Sequence, residues 1–142
     1  MTHALAGRTV LVTRPLQQAA ALTQAIRAAG GTSIEFPALM VETVPLAMLR
    51  ASLEQLAAAD IVIFISPNAA QFGLAAIRGA GQTLSATKVF AVGPGTTRAL
   101  QAQGVAEIIT PQGQDSEALL ALPQLQDVAG KRMVIVRGVG GR

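Results

Sequence analysis

The chain alternates short apolar runs with longer stretches in which apolar residues recur every three or four positions. Short runs rich in β-branched residues predict buried strands, and the longer period predicts helices with one apolar face. Parallel strands need crossover connections, so this alternation predicts an α/β fold, a parallel sheet with helices on both faces. The predicted strands comprise residues 9–13, 32–36, 61–65, 88–92, 107–110 and 132–137.

Prolines and glycines mark where the predicted helices begin and end. Pro15 and Pro67 come directly after strand ends, and the first turn of a helix accepts proline. Gly30 ends the first helix and Gly104 ends the one that begins near Gly95, because glycine adopts the left-handed conformation found after helices. Further helices are predicted over residues 46–57, 67–79 and 115–122.

Two prolines, Pro37 and Pro45, bound a segment of extended character, and neither fits a central strand. We therefore predict three parts: an N-terminal β-α-β fragment over residues 1–37, an interdomain linker over 38–45, and most of a second α/β domain over 46–142. At Gly138–Arg142 the pattern calls for another turn and helix, so we expect a fold that is truncated there.

The composition excludes several kinds of chemistry. The absence of cysteine excludes disulfides and thiolate sites, and it fits a reducing compartment, for which the cytoplasm is our expectation. The single histidine, His3, lies near a terminus, which excludes a Ser-His-Asp triad and imidazole metal sites. No two carboxylates are spaced for acid/base or metal work. We expect no metal site.

Charge and hydropathy narrow the range of partners. The net charge of +3 comes from scattered basic residues without interleaved aromatic ones, so the sequence does not support nucleic-acid binding. No apolar run approaches the roughly 20 residues that a membrane span requires, and we expect no membrane insertion. The weak positive balance is compatible with an anionic small molecule and equally with an ordinary solvated surface.

Small and polar residues follow the predicted strands. Ligands of open α/β sheets bind outside the carboxyl ends of the strands, so these residues predict a polar, donor-rich cleft. Each has a structural alternative: serine, asparagine and threonine cap helices, and arginines form salt bridges or remain solvated. The predicted substrate-binding residues are Arg14, Ser66, Asn68, Thr96, Arg137 and Gly138.

The turn after residue 92 has the first two glycines of a dinucleotide fingerprint, Gly93 and Gly95, with Arg98 in place of the third. Pro94 also removes one backbone donor, so the turn is a poor nucleotide signal. It fits a helix N-terminus whose amides attract an anion, where Thr96 either binds that anion or caps its own helix.

Four segments, in this order, resemble the uroporphyrinogen-III synthase family, and the resemblance runs from about Val10 to Arg142. Members of that family are longer, so the chain resembles their N-terminal half. The four segments are Val-Leu-Val-Thr-Arg-Pro from residue 10, Asp-Ile-Val-Ile-Phe-Ile-Ser-Pro-Asn-Ala from 60, Ala-Val-Gly-Pro-Gly-Thr from 91, and Ile-Val-Arg-Gly-Val-Gly-Gly-Arg from 135.

The resemblance implies two flavodoxin-like (Rossmann-like) domains joined by a two-stranded linker. It implies a lyase of tetrapyrrole and heme biosynthesis that closes hydroxymethylbilane to uroporphyrinogen III, with loss of water and inversion of ring D, without metal or organic cofactor. Ser66 and Thr96 match hydroxyl residues that face the family's cleft. The family tyrosine thought to assist departure of the hydroxyl lies later, and this chain has no tyrosine. The catalytic residues therefore remain unknown.

A chain that corresponds to half of such an enzyme leads to two further expectations, on its activity and on its association. We expect little or no activity from this chain alone, and dimerisation or domain exchange that covers the exposed faces of residues 9–36. One alternative is a non-enzymatic α/β module that binds a nucleotide or another anion at its helix N-termini. A second alternative is a structural fragment that binds nothing.

Overall fold

The structure is a computed structural model that describes residues 3–113 and 115–139. The chain divides into two compact units, Met1–Thr43 and Val44–Arg142. Residues 1–2 of the predicted N-terminal fragment lie outside the described residues, as do residues 140–142, which belong to the fourth motif, the predicted second domain and the expected truncation.

The first unit is a single β-α-β unit. Strand β1 (Thr9–Val12) runs parallel to β2 (Thr32–Glu35), and helix α1 (Leu16–Ala28) connects them. The buried face of α1 packs on β1 through Ala19, Ile26 and Val12. Parallel strands need a crossover, and the 13-residue α1 provides it.

The opposite face of this two-stranded sheet is open. Leu11 and Ile34 are paired in register, and their exposed fractions are 55% and 52%. The part of the chain that the structure describes supplies only one helix to these two strands, which agrees with the predicted β-α-β fragment and the exposed faces expected of residues 9–36. An apolar sheet face remains exposed, as expected for a lone β-α-β unit.

The second unit contains a three-stranded parallel sheet. Its strands are β3 (Ile61–Phe64), β4 (Lys88–Ala91) and β5 (Met133–Val136), in the spatial order β4-β3-β5. The helices are α2 (Arg50–Ala57), which continues a 3₁₀ turn over Leu46–Leu49, then α3 (Pro67–Gly79), α4 (Pro94–Gln101) and α5 (Ser116–Leu120). A second 3₁₀ turn spans Pro123–Leu125. The parallel α/β fold class is confirmed.

Both faces of this sheet are covered. Alternate residues of a strand point to opposite faces, and Val62 and Phe64 accordingly belong to the core that α2, α3 and α4 cover. Ile63 faces the other side, where Leu119 of α5 and Leu125 pack against it. The central strand β3 is buried throughout, because it has neighbours at both edges and on both faces.

The predicted strand over 107–110 is wrong in extent. Only Ile109 bridges to the sheet: its amide donates to Val89 at 2.9 Å, and its carbonyl accepts from Ala91 at 3.0 Å. Continuing a parallel ladder requires a donor two residues later, and Pro111 has no N–H. Residues 36–45, which include the boundary between the two units, contain no helix or strand. No helix in the described ranges combines the length and the apolar character that crossing a membrane requires.

Candidate functional site

The three strands of the second unit end at the same edge of the sheet. Phe64, the last residue of β3, pairs with the last residues of both neighbours, Ala91 and Val136. The pairing continues one residue further, since Val92 donates to Phe64 at 3.2 Å. We call this side of the sheet the carboxyl edge. Of the predicted site residues, Ser66, Asn68, Thr96, Arg137 and Gly138 follow these strand ends, so the structure brings them to one edge.

Ser66 begins α3 in the way its sequence context predicts. Its backbone is extended, with φ −158° and ψ 161°, and its hydroxyl oxygen accepts a hydrogen bond from the amide of Ala69 at 3.0 Å. Pro67 takes the first helical position, where a missing N–H costs nothing. A hydroxyl that accepts one bond still has its own proton to donate. The capping role of Ser66 is therefore compatible with donation to a ligand. Asn68 follows in the same turn, partly buried.

Helix α4 begins differently. Its N-cap is Gly93, and no side chain caps it. The alternative that Thr96 caps its own helix is wrong, because Thr96 stands at the third helical position, where it is 4% exposed. The amides of Thr96 and Thr97 both donate to the Gly93 carbonyl, at 3.0 and 3.1 Å. Pro94 has no N–H. In the described part of this turn, the Gly95 amide is therefore the one that does not donate to the Gly93 carbonyl.

The first turns of α3 and α4 lie close together. A Cβ built on Gly95 would lie 3.5 Å from Cγ of Pro67, which is ordinary van der Waals contact. Both turns present the positive end of a helix at the carboxyl edge, and such ends favour anions. Two adjacent helix N-termini therefore give this edge a positive potential without any metal.

A pair of hydroxyls at this edge was not predicted as part of the site. Thr97 donates to the Gly93 carbonyl at 3.2 Å, and its oxygen lies 2.7 Å from the hydroxyl oxygen of Thr110. Thr110 follows the bridging residue Ile109. The sequence did carry a signal for Thr110, since it stands at the end of a predicted strand, the criterion that selected the other candidates.

The arginines differ in their setting. Arg137 is exposed directly after β5, and Arg14 is exposed after β1 in the first unit. Neither forms an ion pair within residues 3–113 and 115–139, so the salt-bridge alternative is not found there. Gly138 is also exposed, with nothing within 4 Å of a Cβ built on it. Both guanidinium groups are thus open to solvent.

Two cavities lie away from the carboxyl edge. One of about 490 Å³ is lined by Arg78, Gln82, Thr87 and Glu107, at the opposite edge of the sheet where β4 begins. Another, of about 420 Å³, lies between the first turn of α2 and Gln82. No predicted site residue lines either of them. Within the described ranges no cluster of histidine and carboxylate side chains is suited to hold a metal ion.

Most of the chain matches known proteins. The family model for uroporphyrinogen-III synthase HemD matches residues 20–142. A uroporphyrinogen-III synthase of Salmonella typhimurium is 38% identical over 136 residues, and the match covers 94% of this chain and 55% of that protein. The Escherichia coli synthase is 35% identical over 138 residues, with the same coverage, and the Proteus mirabilis protein is 30% identical.

A solved structure agrees with the fold. The crystal structure of a mutant uroporphyrinogen III synthase from the extremely thermophilic bacterium Thermus thermophilus superposes with a TM-score of 0.61 at 21% identity, covering 89% of this chain and 60% of that one. The chain thus spans about half the length of the first relatives that it matches. Since the family model covers most of its residues, the chain belongs to the uroporphyrinogen-III synthase family.

Proposed function

We propose that the chain is the N-terminal portion of a uroporphyrinogen-III synthase, a lyase that closes hydroxymethylbilane to uroporphyrinogen III in tetrapyrrole and heme biosynthesis. Ring closure loses water and inverts ring D. The observation that carries the proposal is the family match over residues 20–142. A location in the cytoplasm, a reducing compartment, is part of the proposal.

The geometry of the carboxyl edge supports this substrate class. Hydroxymethylbilane carries several carboxylates, and the adjacent N-termini of α3 and α4 attract anions through their dipoles and free amides. The hydroxyl of Ser66 retains a proton to donate, and the exposed Arg137 can pair with a carboxylate. We propose that these residues, with Asn68, Thr96, Gly138 and Arg14 of the first unit, bind the substrate.

Catalysis by this set would depend on orientation more than on acid/base groups. Holding two reacting ends in near-attack geometry contributes about 7–11 kcal/mol in well-oriented reactions. Fixed amides and hydroxyls stabilise developing charge without reorganising. We therefore propose that the bound linear tetrapyrrole is folded so that its ends meet, with no metal or organic cofactor.

We further propose that this stretch of chain is inactive or nearly inactive when supplied alone. It spans 55% of the Salmonella and E. coli relatives, and the sheet of its first unit has two strands with one face open. Two-stranded sheets are marginally stable in water. A second copy, by dimerisation or domain exchange, would cover the apolar face around Leu11 and Ile34.

The test is formation of uroporphyrinogen III from hydroxymethylbilane, separated from the type I isomer that forms spontaneously. The chain is assayed alone and then with a polypeptide comprising the remaining part of the Salmonella relative. Type III product only in the mixture is the expected result. Type III product at ordinary enzyme rates from the chain alone would contradict the proposed inactivity.

A folded chain that yields no type III product in either assay would contradict the proposed function. In that case tight binding of a nucleotide, without binding of a linear tetrapyrrole, would identify the non-enzymatic anion-binding module instead. Binding of neither ligand would leave the structural fragment.

A further inference from the structure

The hydroxyls of Thr97 and Thr110 form a chain of hydrogen bonds that ends on the N-cap of α4. Thr97 has one hydroxyl proton, and it is directed to the Gly93 carbonyl at 3.2 Å. The two bonds can form together when Thr110 donates and Thr97 accepts in the 2.7 Å contact between the two threonines. The two residues are separated by 13 positions, so this bond ties α4 to a segment outside the helix.

The Gly93 carbonyl accepts the hydrogen bonds that form the first turn of α4. Gly93 accepts from the amides of Thr96 and Thr97 as well as from the Thr97 hydroxyl. The helix has only eight residues, and no side chain caps its N-terminus. A short helix without a cap depends on tertiary contacts for its stability. Thr110 provides such a contact at the turn that carries the Gly95 amide and Thr96.

Thr110 is itself held firmly. The preceding residue, Ile109, makes both backbone bonds of a parallel bridge to β4, and the following Pro111 is buried. Because its backbone is fixed to the sheet, the Thr110 hydroxyl can restrain the first turn of α4. The same segment thus fixes α4 relative to β4, the strand that leads into it.

We propose that Thr110 is a positioning residue for tetrapyrrole binding: through Thr97 it holds the first turn of α4, and with it the Gly95 amide and Thr96, in the orientation that receives a substrate carboxylate. This inference rests on the proposed function. It does not place Thr110 in contact with the substrate. It assigns a role to a residue pair that the predicted site did not include.

The test compares Thr110→Val, which removes the hydroxyl at nearly constant shape, with Thr110→Ser, which keeps it. Thr83→Val is the matched control, because it breaks another hydroxyl pair, with Ser85 at 3.1 Å, in an exposed loop near the opposite edge. Two quantities are measured on the isolated chain: amide hydrogen exchange at Thr96 and Thr97, and the affinity for uroporphyrinogen III kept under nitrogen, followed by the NMR shift of the Gly95 amide.

We expect Thr110→Val to accelerate exchange at these amides and to weaken tetrapyrrole binding, each by about three- to tenfold, the equivalent of one hydrogen bond. Thr110→Ser should restore both quantities to the wild-type values, and Thr83→Val should change neither. Loss of affinity that the serine variant rescues is a result that a merely structural tie would not produce.

Unchanged affinity in Thr110→Val, with a wild-type chain that binds, would overturn the positioning role and leave the proposed function intact. Unchanged exchange at Thr96 and Thr97 would overturn it as well, independently of any ligand. A wild-type chain in which the tetrapyrrole does not shift the Gly95 amide would contradict the proposed function of this edge, and the positioning role would fall with it.

Discussion

Gly73 of α3 lies so close to Val136 of β5 that a Cβ on the glycine would be 2.5 Å from Cγ1 of the valine. Phe64 of the central strand is also near, at 3.3 Å from that position. Helix and sheet therefore approach each other at a point where a larger residue does not fit. The contact lies at the last residue of β5, directly before Arg137 of the candidate site.

This contact predicts that Gly73→Ala destabilises the chain although alanine is the better helix former. Overpacking costs about 1–3 kcal/mol, and helix propensity offsets about 1 kcal/mol of it. The matched control is Gly79→Ala in the same helix, whose Cβ would be 3.9 Å from Leu46. Urea unfolding should show a loss of up to about 2 kcal/mol for the first and a gain of up to about 1 kcal/mol for the second. Equal effects would contradict the close approach.

Substitutions of Ser66 separate capping from substrate binding. Aspartate and asparagine both cap helices about as well as serine, so Ser66→Asp and Ser66→Asn should leave the free energy of unfolding within about 0.5 kcal/mol of wild type. Ser66→Ala, which removes the bond to Ala69, should lose about 1 kcal/mol.

Only the aspartate variant adds a negative charge to the carboxyl edge. It should bind uroporphyrinogen III about fivefold more weakly than the asparagine variant, because a like charge at about 4 Å costs about 1 kcal/mol in water. Titration of both variants by NMR or calorimetry measures the difference. Equal affinities would remove Ser66 from the substrate-binding set.

The contacts of Asp60 lead us to expect that the folded chain loses stability in acid. Its carboxylate accepts a bond from the Arg132 amide at 2.9 Å, and Lys131 lies 3.6 Å away. The bond from Arg132 chiefly, and the charge of Lys131 in addition, hold the pKa of Asp60 below its ordinary value of 3.8, against a smaller opposing effect of desolvation. A carboxyl whose pKa is lower in the folded state stabilises that state above the unfolded pKa.

The contribution of Asp60 should therefore be constant above the ordinary pKa of 3.8 and disappear as the pH falls below it, through the lower folded-state pKa. Urea unfolding of wild type and Asp60→Asn over this range measures it. The two curves should converge in acid. A difference that persists unchanged below both pKa values would show that the charge is not what stabilises the contact. Lys131→Met, which removes only the exposed ion pair, should cost less stability than Asp60→Asn, because exposed ion pairs contribute little.

The open face of the first unit predicts concentration-dependent self-association. Leu11→Thr combined with Ile34→Thr keeps the strand propensity while removing apolar surface, so it should abolish the dimer. Met48→Thr is the control, since Met48 is 75% exposed on the 3₁₀ turn of the other unit. Sedimentation velocity over a range of concentrations measures the mass. A wild-type monomer at the highest concentration, or a double variant that dimerises as wild type does, would contradict the proposed interface.

Local sequence patterns determined much of this protein. The runs at 61–65 and 88–92 identified strands to within one residue, and Ser66 before Pro67 predicted a capped helix that the structure confirms. These features depend on neighbours within a few positions, through side-chain alternation, capping and the geometry of proline. The parallel α/β class follows from the same information, because parallel strands need crossovers.

Only the tertiary structure decided which distant residues meet. β5 pairs with β3 and not with β4, its predecessor in the chain, and this order places Arg132 on Asp60 and Val136 on Gly73. The Thr97–Thr110 bond likewise depends on how Ile109 docks on the sheet. The hydrophobic period of a segment indicates that one of its faces is buried, but it does not indicate which other segment covers that face. Apolar contacts are non-directional, and packing of the whole unit selects the order of the strands.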